Sequence, residues 1–238
     1  MKQKIALVTG SNKGIGFAVV KELVKADYEV WLAARNKELG QKAAQELGKN
    51  VHFIALDVAN DQSVLEAVKE FSAKRDHLDL LINNAGIYQK EIDGKAETIS
   101  LQAIHSTFDV NFFGPIRVAQ AFLPLIKKSS RGRILNVDSG LGSINLQLDP
   151  TTGFDQLDAF AYNSSKTALN AFSVILSNEM RKHKIEVNSI CPGYVATDLN
   201  GHAGPLTTEE SAKGFMEFIL NDEFTTGRFI KKGGEHPW

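Results

Sequence analysis

Ile5-Ala6-Leu7-Val8-Thr9-Gly10-Ser11-Asn12-Lys13-Gly14-Ile15-Gly16 decides how the rest of the chain is read. Its apolar, partly β-branched opening reads as a buried strand that stops at a glycine-rich turn. An amphipathic stretch over 15–26 follows and predicts a helix. Strand, glycine turn and helix in that order form a phosphate seat. The first glycine permits the tight turn, and the later ones let backbone N–H groups and the helix N-terminus approach a pyrophosphate. A glycine triplet alone also describes a flexible turn, and its place after the first strand favours the phosphate reading.

Outward from this unit, short β-branched runs alternate with longer amphipathic stretches. The strands expected are Ile5–Thr9, Glu29–Ala33, Val51–Leu56, Leu78–Asn83, Arg133–Val137, Ile185–Ile190 and Gly227–Lys231. Helices are expected around 15–26, 37–48, 61–75, 99–128, 159–182 and 207–220. Such alternation implies one doubly wound α/β domain of Rossmann type over 1–238, with seven parallel strands flanked by helices. Two stretches break the rhythm: the polar segment Tyr88–Glu97, and an irregular insertion at about 142–158 holding Asp149-Pro150 and Thr152-Gly153. A loop at about 194–206 is expected on the substrate side.

Net charge is −1 over 238 residues, so neither a nucleic-acid footprint nor attraction to acidic membranes is expected. The single cysteine, Cys191, excludes an internal disulfide framework and fits a reducing compartment. The basic start, Met1 to Lys4, leads into an apolar run too short for a signal peptide, and no segment approaches a membrane span. These features read as a soluble cytoplasmic protein. No metal-ligand pattern stands out.

The end of the second strand bears on the cofactor. An NAD site places an acidic residue there for the ribose 2′-hydroxyl. Here Ala34 is followed by Arg35, and the first carboxylate is Glu38. With Lys13 in the glycine turn, two cations and no acid suit the 2′-phosphate of NADP. Asp57, in Leu56-Asp57-Val58, stands where a carboxylate reaches an adenine amino group, or caps the next helix. In Asn83-Asn84-Ala85-Gly86, the last three residues are expected to line the ribose and Asn83 to be structural.

Tyr162 and Lys166 lie four apart, one turn of the expected helix 159–182. A cation there is expected to lower the phenol pKa and give a general acid usable near neutrality. Ser139, closing the fifth strand in Asn136-Val137-Asp138-Ser139-Gly140, could donate to a substrate carbonyl beside that phenol. Asn111 is an unfavourable residue inside the long helical stretch. It fits either a local kink with a water bridging to Lys166, or an exposed face.

Together these motifs resemble the short-chain dehydrogenase/reductase family over nearly the whole chain, most closely its NADPH-dependent carbonyl reductase branch. The resemblance implies a catalytic tetrad of Asn111, Ser139, Tyr162 and Lys166. It places cofactor contacts at Gly10, Ser11, Asn12, Lys13, Gly14, Ile15 and Gly16, then at Arg35, Asn36, Asp57, Val58, Asn84, Ala85 and Gly86. Tyr162, Lys166, Pro192, Gly193, Val195 and Thr197 complete the set. Ser139 and Tyr162 stand about ten residues further apart than in most members, as in carbonyl reductases, whose insertion is often longer still. Asp138 departs from the family, where a second Ser or Thr commonly precedes the catalytic serine.

The expected activity is NADPH-dependent reduction of a ketone or aldehyde with Tyr162 as acid. Rival readings are an alcohol dehydrogenase working oxidatively and a non-catalytic NADPH-binding sensor. The insertion tilts the expected assembly slightly towards a monomer.

Overall fold

The computed structural model describes residues 3–238; Met1 and Lys2, the start of the basic N-terminal stretch, lie outside the described residues. The chain alternates as expected. Strands are β1 (Ile5–Thr9), β2 (Glu29–Ala34), β3 (Val51–Ala55), β4 (Leu80–Asn83), β5 (Arg133–Val137), β6 (Glu186–Ile190), β7 (Phe229–Lys231) and β8 (Gly234–Glu235). Helices are α1 (Gly14–Lys25), α2 (Lys37–Leu47), α3 (Asp61–Ser72), α4 (Leu101–Phe108), α5 (Gly114–Ile126), α6 (Ile144–Leu148), α7 (Phe160–Met180) and α8 (Thr208–Ile219).

The strands lie in the order β3-β2-β1-β4-β5-β6-β7-β8. From β1 the chain winds outward through β2 and β3, then returns to place β4 beside β1 and winds the other way. That reversal leaves a crevice at the carboxyl ends of β1 and β4, where doubly wound folds bind ligands. Both sheet faces are buried, so the strands read as near-continuous apolar runs. Along β1, Ala6 and Val8 join one core with Val20 and Leu23 of α1 and Phe215 of α8. Ile5 and Leu7 join the other, with Phe71 of α3 and Phe122 of α5. Trp31 tilts against Phe71 at 4.8 Å between centroids, and Phe71 meets Phe122 edge-on at 5.6 Å.

Three features differ from the sequence expectation. The sheet has eight strands rather than seven, because a turn with Gly233 at φ +72° folds Gly234–Glu235 back antiparallel onto β7. A two-residue strand carries too little pattern to read. The stretch 99–128 is two helices, joined by a π turn over Asp109–Phe113; Pro115 then sits at the start of α5, where its missing N–H is harmless. The insertion is partly regular. Ser143 caps α6 and donates to Pro237 O at 2.7 Å, while Asn145 N donates to Trp238 O. The Trp238 ring stacks on Phe229, so the tail is packed against the insertion. No helix among the described residues is long and apolar enough to cross a membrane.

Candidate active site

The expected site residues gather at the carboxyl ends of the central strands. The glycine turn is held from behind. Thr9 Oγ1 accepts from the N–H groups of both Asn84 and Ala85, and Asn84 Nδ2 donates to Thr9 O and Gly10 O at 2.9 and 3.0 Å. Gly10 has φ +61°, and a Cβ there would lie 2.8 Å from Ala85 Cα; one on Gly16 would lie 2.5 Å from Asn84 Nδ2. The Asn-Asn-Ala-Gly segment and the glycine turn are thus one interlocked unit. Asn84 spends its side chain on the turn, and Asn83 donates to Asn136 Oδ1 at 2.8 Å inside the sheet.

α1 begins without help from any side chain. Its N-cap, Lys13, makes no capping hydrogen bond, and its first turn holds no acid. Those unpaired N–H groups suit an anion. Lys13 Nζ instead pairs with Asp198 at 2.5 Å, bridging the glycine turn to the loop after β6. At the end of β2, Asn36 caps α2 by accepting from Leu39 N, and Arg35 is exposed. Asp57 does not cap α3. Asn60 does so, and Asp57 Oδ1 accepts from Ala59 N in a local turn. Val58 is buried against Gly114. After β6, Gly193 adopts φ +84°, Pro192 O accepts from Ser211, and Val195 bridges to Leu206. Thr197 opens the short turn Asp198–Asn200.

α7 brings Tyr162 and Lys166 to the end of β5. Lys166 is 5% exposed; its Nζ donates to Val137 O at 2.8 Å and lies 5.7 Å from the centre of the Tyr162 ring. Asn111 is fully buried in the π turn. Its Nδ2 donates to Ile87 O and Ser165 Oγ, and its Oδ1 accepts from Ile87 N. The exposed-face reading of Asn111 is excluded. A Cβ placed on Gly86 would lie 3.4 Å from Asn111 Oδ1 and 3.7 Å from Lys166 Nζ, so the two side chains converge over that glycine.

The electrostatics correct one expectation. The Tyr162 phenol is held well above its ordinary pKa, chiefly by burial and then by the negative charge of Asp138, with the Ser139 hydroxyl pulling the other way. Burial also lowers the Lys166 pKa, against the pull of Asp138. A dehydrated ammonium that shares its field with a carboxylate cannot lower the phenol as a free cation would. Tyr162 is therefore firmly protonated at neutral pH, the state required of a proton donor.

Sequence reading missed two contacts made from the polar segment 88–97. Asp93, in the polar segment, accepts through Oδ1 from Ala161 N and through Oδ2 from Tyr162 N, each at 2.9 Å. It replaces the cap that the native N-cap, Ala159, lacks, and fixes the turn that carries Tyr162. Tyr88, five residues earlier, tilts its ring against Tyr162 at 5.4 Å. Neither carried a local signal, since both act across about 70 residues of chain.

A sequence profile described as short chain dehydrogenase matches residues 4–205. The chain belongs to the short-chain dehydrogenase family. Among similar proteins, carbonyl reductase [NADPH] 1 of Mus musculus is 34% identical over 277 aligned positions, spanning 98% of both chains. An alignment that long against 238 residues means that the mouse protein has residues this member lacks. A short-chain dehydrogenase of Penicillium roqueforti is 33% identical over 88% of this chain and 85% of its own. Among solved structures, carbonyl reductase Sniffer of D. melanogaster superposes with TM-score 0.88 at 30% identity, covering 99% and 100% of the two chains. An NADPH-bound carbonyl reductase from chicken fatty liver gives 0.86 at 30% identity over the whole of both.

Proposed function

We propose that this short-chain dehydrogenase uses NADPH to reduce an uncharged ketone or aldehyde, with Tyr162 delivering the proton. One observation carries the reading: Tyr162, Lys166 and Ser139 meet at the ends of α7 and β5, beside a glycine turn whose helix N-terminus has no side-chain partner. The residues present fit the cofactor. The unpaired N–H groups of α1 suit a pyrophosphate, and the end of β2 offers Arg35 in place of a carboxylate. NADP(H)-linked relatives support the same choice.

When bound, NADPH supplies the hydride. Arg35 and Lys13 would hold the 2′-phosphate, Lys13 by exchanging Asp198 for it. Asp57 would hold the adenine, Gly86 and Lys166 the nicotinamide ribose, and the loop from Pro192 to Thr197 the nicotinamide carboxamide. Ser139 donates a hydrogen bond to the substrate oxygen. Tyr162 gives its proton to that oxygen as negative charge develops, which a firmly protonated phenol does only when the oxygen becomes strongly basic. Lys166 and Asn111, converging over Gly86, form the route by which the proton is replaced. The segments 140–158, 88–97 and 194–206 bound the substrate space, and Tyr88, Leu141, Ile144, Leu146, Phe154 and Tyr194 make it moderately apolar.

The test is steady-state NADPH consumption against a panel of ketones, aldehydes and quinones, repeated with NADH. Turnover of at least one compound with NADPH and little with NADH is expected. A preference for NADH would remove the 2′-phosphate assignment. Tight NADPH binding with no turnover across the panel would favour a sensor.

A further inference from the structure

Asp138 is a buried ionisable group beside the reacting centre that the proposed chemistry leaves unused. It follows the last residue of β5, immediately before Ser139, and is 2% exposed. Its Oδ1 accepts from Ser139 N at 2.7 Å, and its Oδ2 is buried without a hydrogen-bond partner. An orphaned carboxylate oxygen in a dry site is costly, so its presence beside the reacting groups calls for a reason. The neighbouring backbone lets it close on α7. A Cβ on Gly142 would lie 2.7 Å from Asp138 Oδ1 and 2.8 Å from Lys166 Cβ, so no side chain separates acid from lysine.

We infer that Asp138 is a positioning residue for reduction: its carboxylate, bonded to Ser139 N and facing Lys166 across Gly142, keeps the protons on Lys166 and Tyr162. The inference rests on the proposed reduction. The charged and titratable groups around it are Lys166 and Tyr162 on α7 and Cys191 after β6; beyond them, Lys231 at the end of β7 acts on Cys191, and Tyr88 touches Tyr162. Burial pushes the Asp138 carboxyl up to about 7, against the pull of Lys166 and the Ser139 N–H.

The sign follows. Above neutrality Asp138 is ionised, and its charge raises the pKa of both Tyr162 and Lys166, so the donor stays loaded at alkaline pH. Below neutrality it takes up a proton and that support is lost. The residue thereby keeps the pair in the protonated form that reduction starts from, at pH values where oxidation needs the phenolate.

The experiment is the pH dependence of kcat/KM for NADPH-dependent reduction in wild type, Asp138→Asn and Asp138→Ser. Asn keeps an equivalent acceptor for the Ser139 N–H and removes the charge; Ser removes the charge and also replaces the Oδ1 acceptor by a shorter hydroxyl. In both variants the alkaline limb is expected to move down by about one pH unit or more, while the profiles converge with wild type below neutrality. Superimposable profiles would overturn the inference. So would a shift confined to Asp138→Ser, which would assign the effect to the lost hydrogen bond.

A second readout needs no turnover. In cofactor-free, aspartate-labelled protein, one carboxyl resonance absent from Asp138→Asn should titrate near neutrality. If it titrates in the ordinary carboxylate range, the inference fails. A wild type that turns over nothing while this titration appears would sink the proposed reduction and leave the buried acid standing.

Discussion

Tyr162→Phe is expected to cut kcat for carbonyl reduction by ~10²–10⁴-fold, the usual contribution of a positioned general acid. The ring packing is retained: Phe keeps the contact with Tyr88 and lies under the Lys166 ammonium as before. What is lost is the hydroxyl, its hydrogen bond with Ser139 and the proton. Because the proposed cofactor contacts lie mostly in the glycine turn, the end of β2 and the loop after β6, NADPH affinity measured by fluorescence titration should stay within about threefold. Loss of kcat with retained affinity identifies an interaction made in the transition state. Activity within tenfold of wild type would mean that another group gives the proton.

Arg35→Asp should swing cofactor preference from NADPH towards NADH by on the order of 10²-fold in the ratio of kcat/KM values. Two effects add. The 2′-phosphate loses a charge-assisted partner and meets a carboxylate instead, while the 2′-hydroxyl of NADH gains an acceptor at the place where NAD sites carry one. Arg35 is exposed, and Asn36, not Arg35, caps α2, so the substitution leaves the helix start intact. Salt should shrink the difference, because water and ions reach this end of the site. An unchanged ratio would place the 2′-phosphate elsewhere.

The architecture was legible because its signals are local. Both faces of the sheet are covered, so every strand but β8 announced itself as a short apolar run, and the glycine turn fixed where the crevice lies. Tyr162 and Lys166 could be paired from spacing alone, since an α-helix brings residues four apart onto one face. Asn111 was noticeable as a misfit in a helix, and the π turn is the distortion that resolves it.

What escaped were contacts closed by the fold. The Asp93 cap of α7 joins residues 68 and 69 apart in sequence. The Lys13–Asp198 pair spans 185 residues. Asp138 stood out only as a departure from a pattern, and its buried place across Gly142 from Lys166 became visible once β5, α7 and the Gly142 turn were brought together. The raised Tyr162 pKa has the same origin. Spacing gives the neighbouring cation, whereas dehydration is a property of the packed site and outweighs it.

The proposed reaction is hydride transfer from NADPH to a carbonyl carbon with a proton from the protein side. Its most direct measurement uses NADPH bearing deuterium at the transferred position of nicotinamide C4, with mass spectrometry of the alcohol formed from an accepted ketone. One deuterium is expected on the carbinol carbon and a hydroxyl proton from solvent, with the yield collapsing in Tyr162→Phe. Product formed without deuterium from either face of the labelled nicotinamide would contradict it.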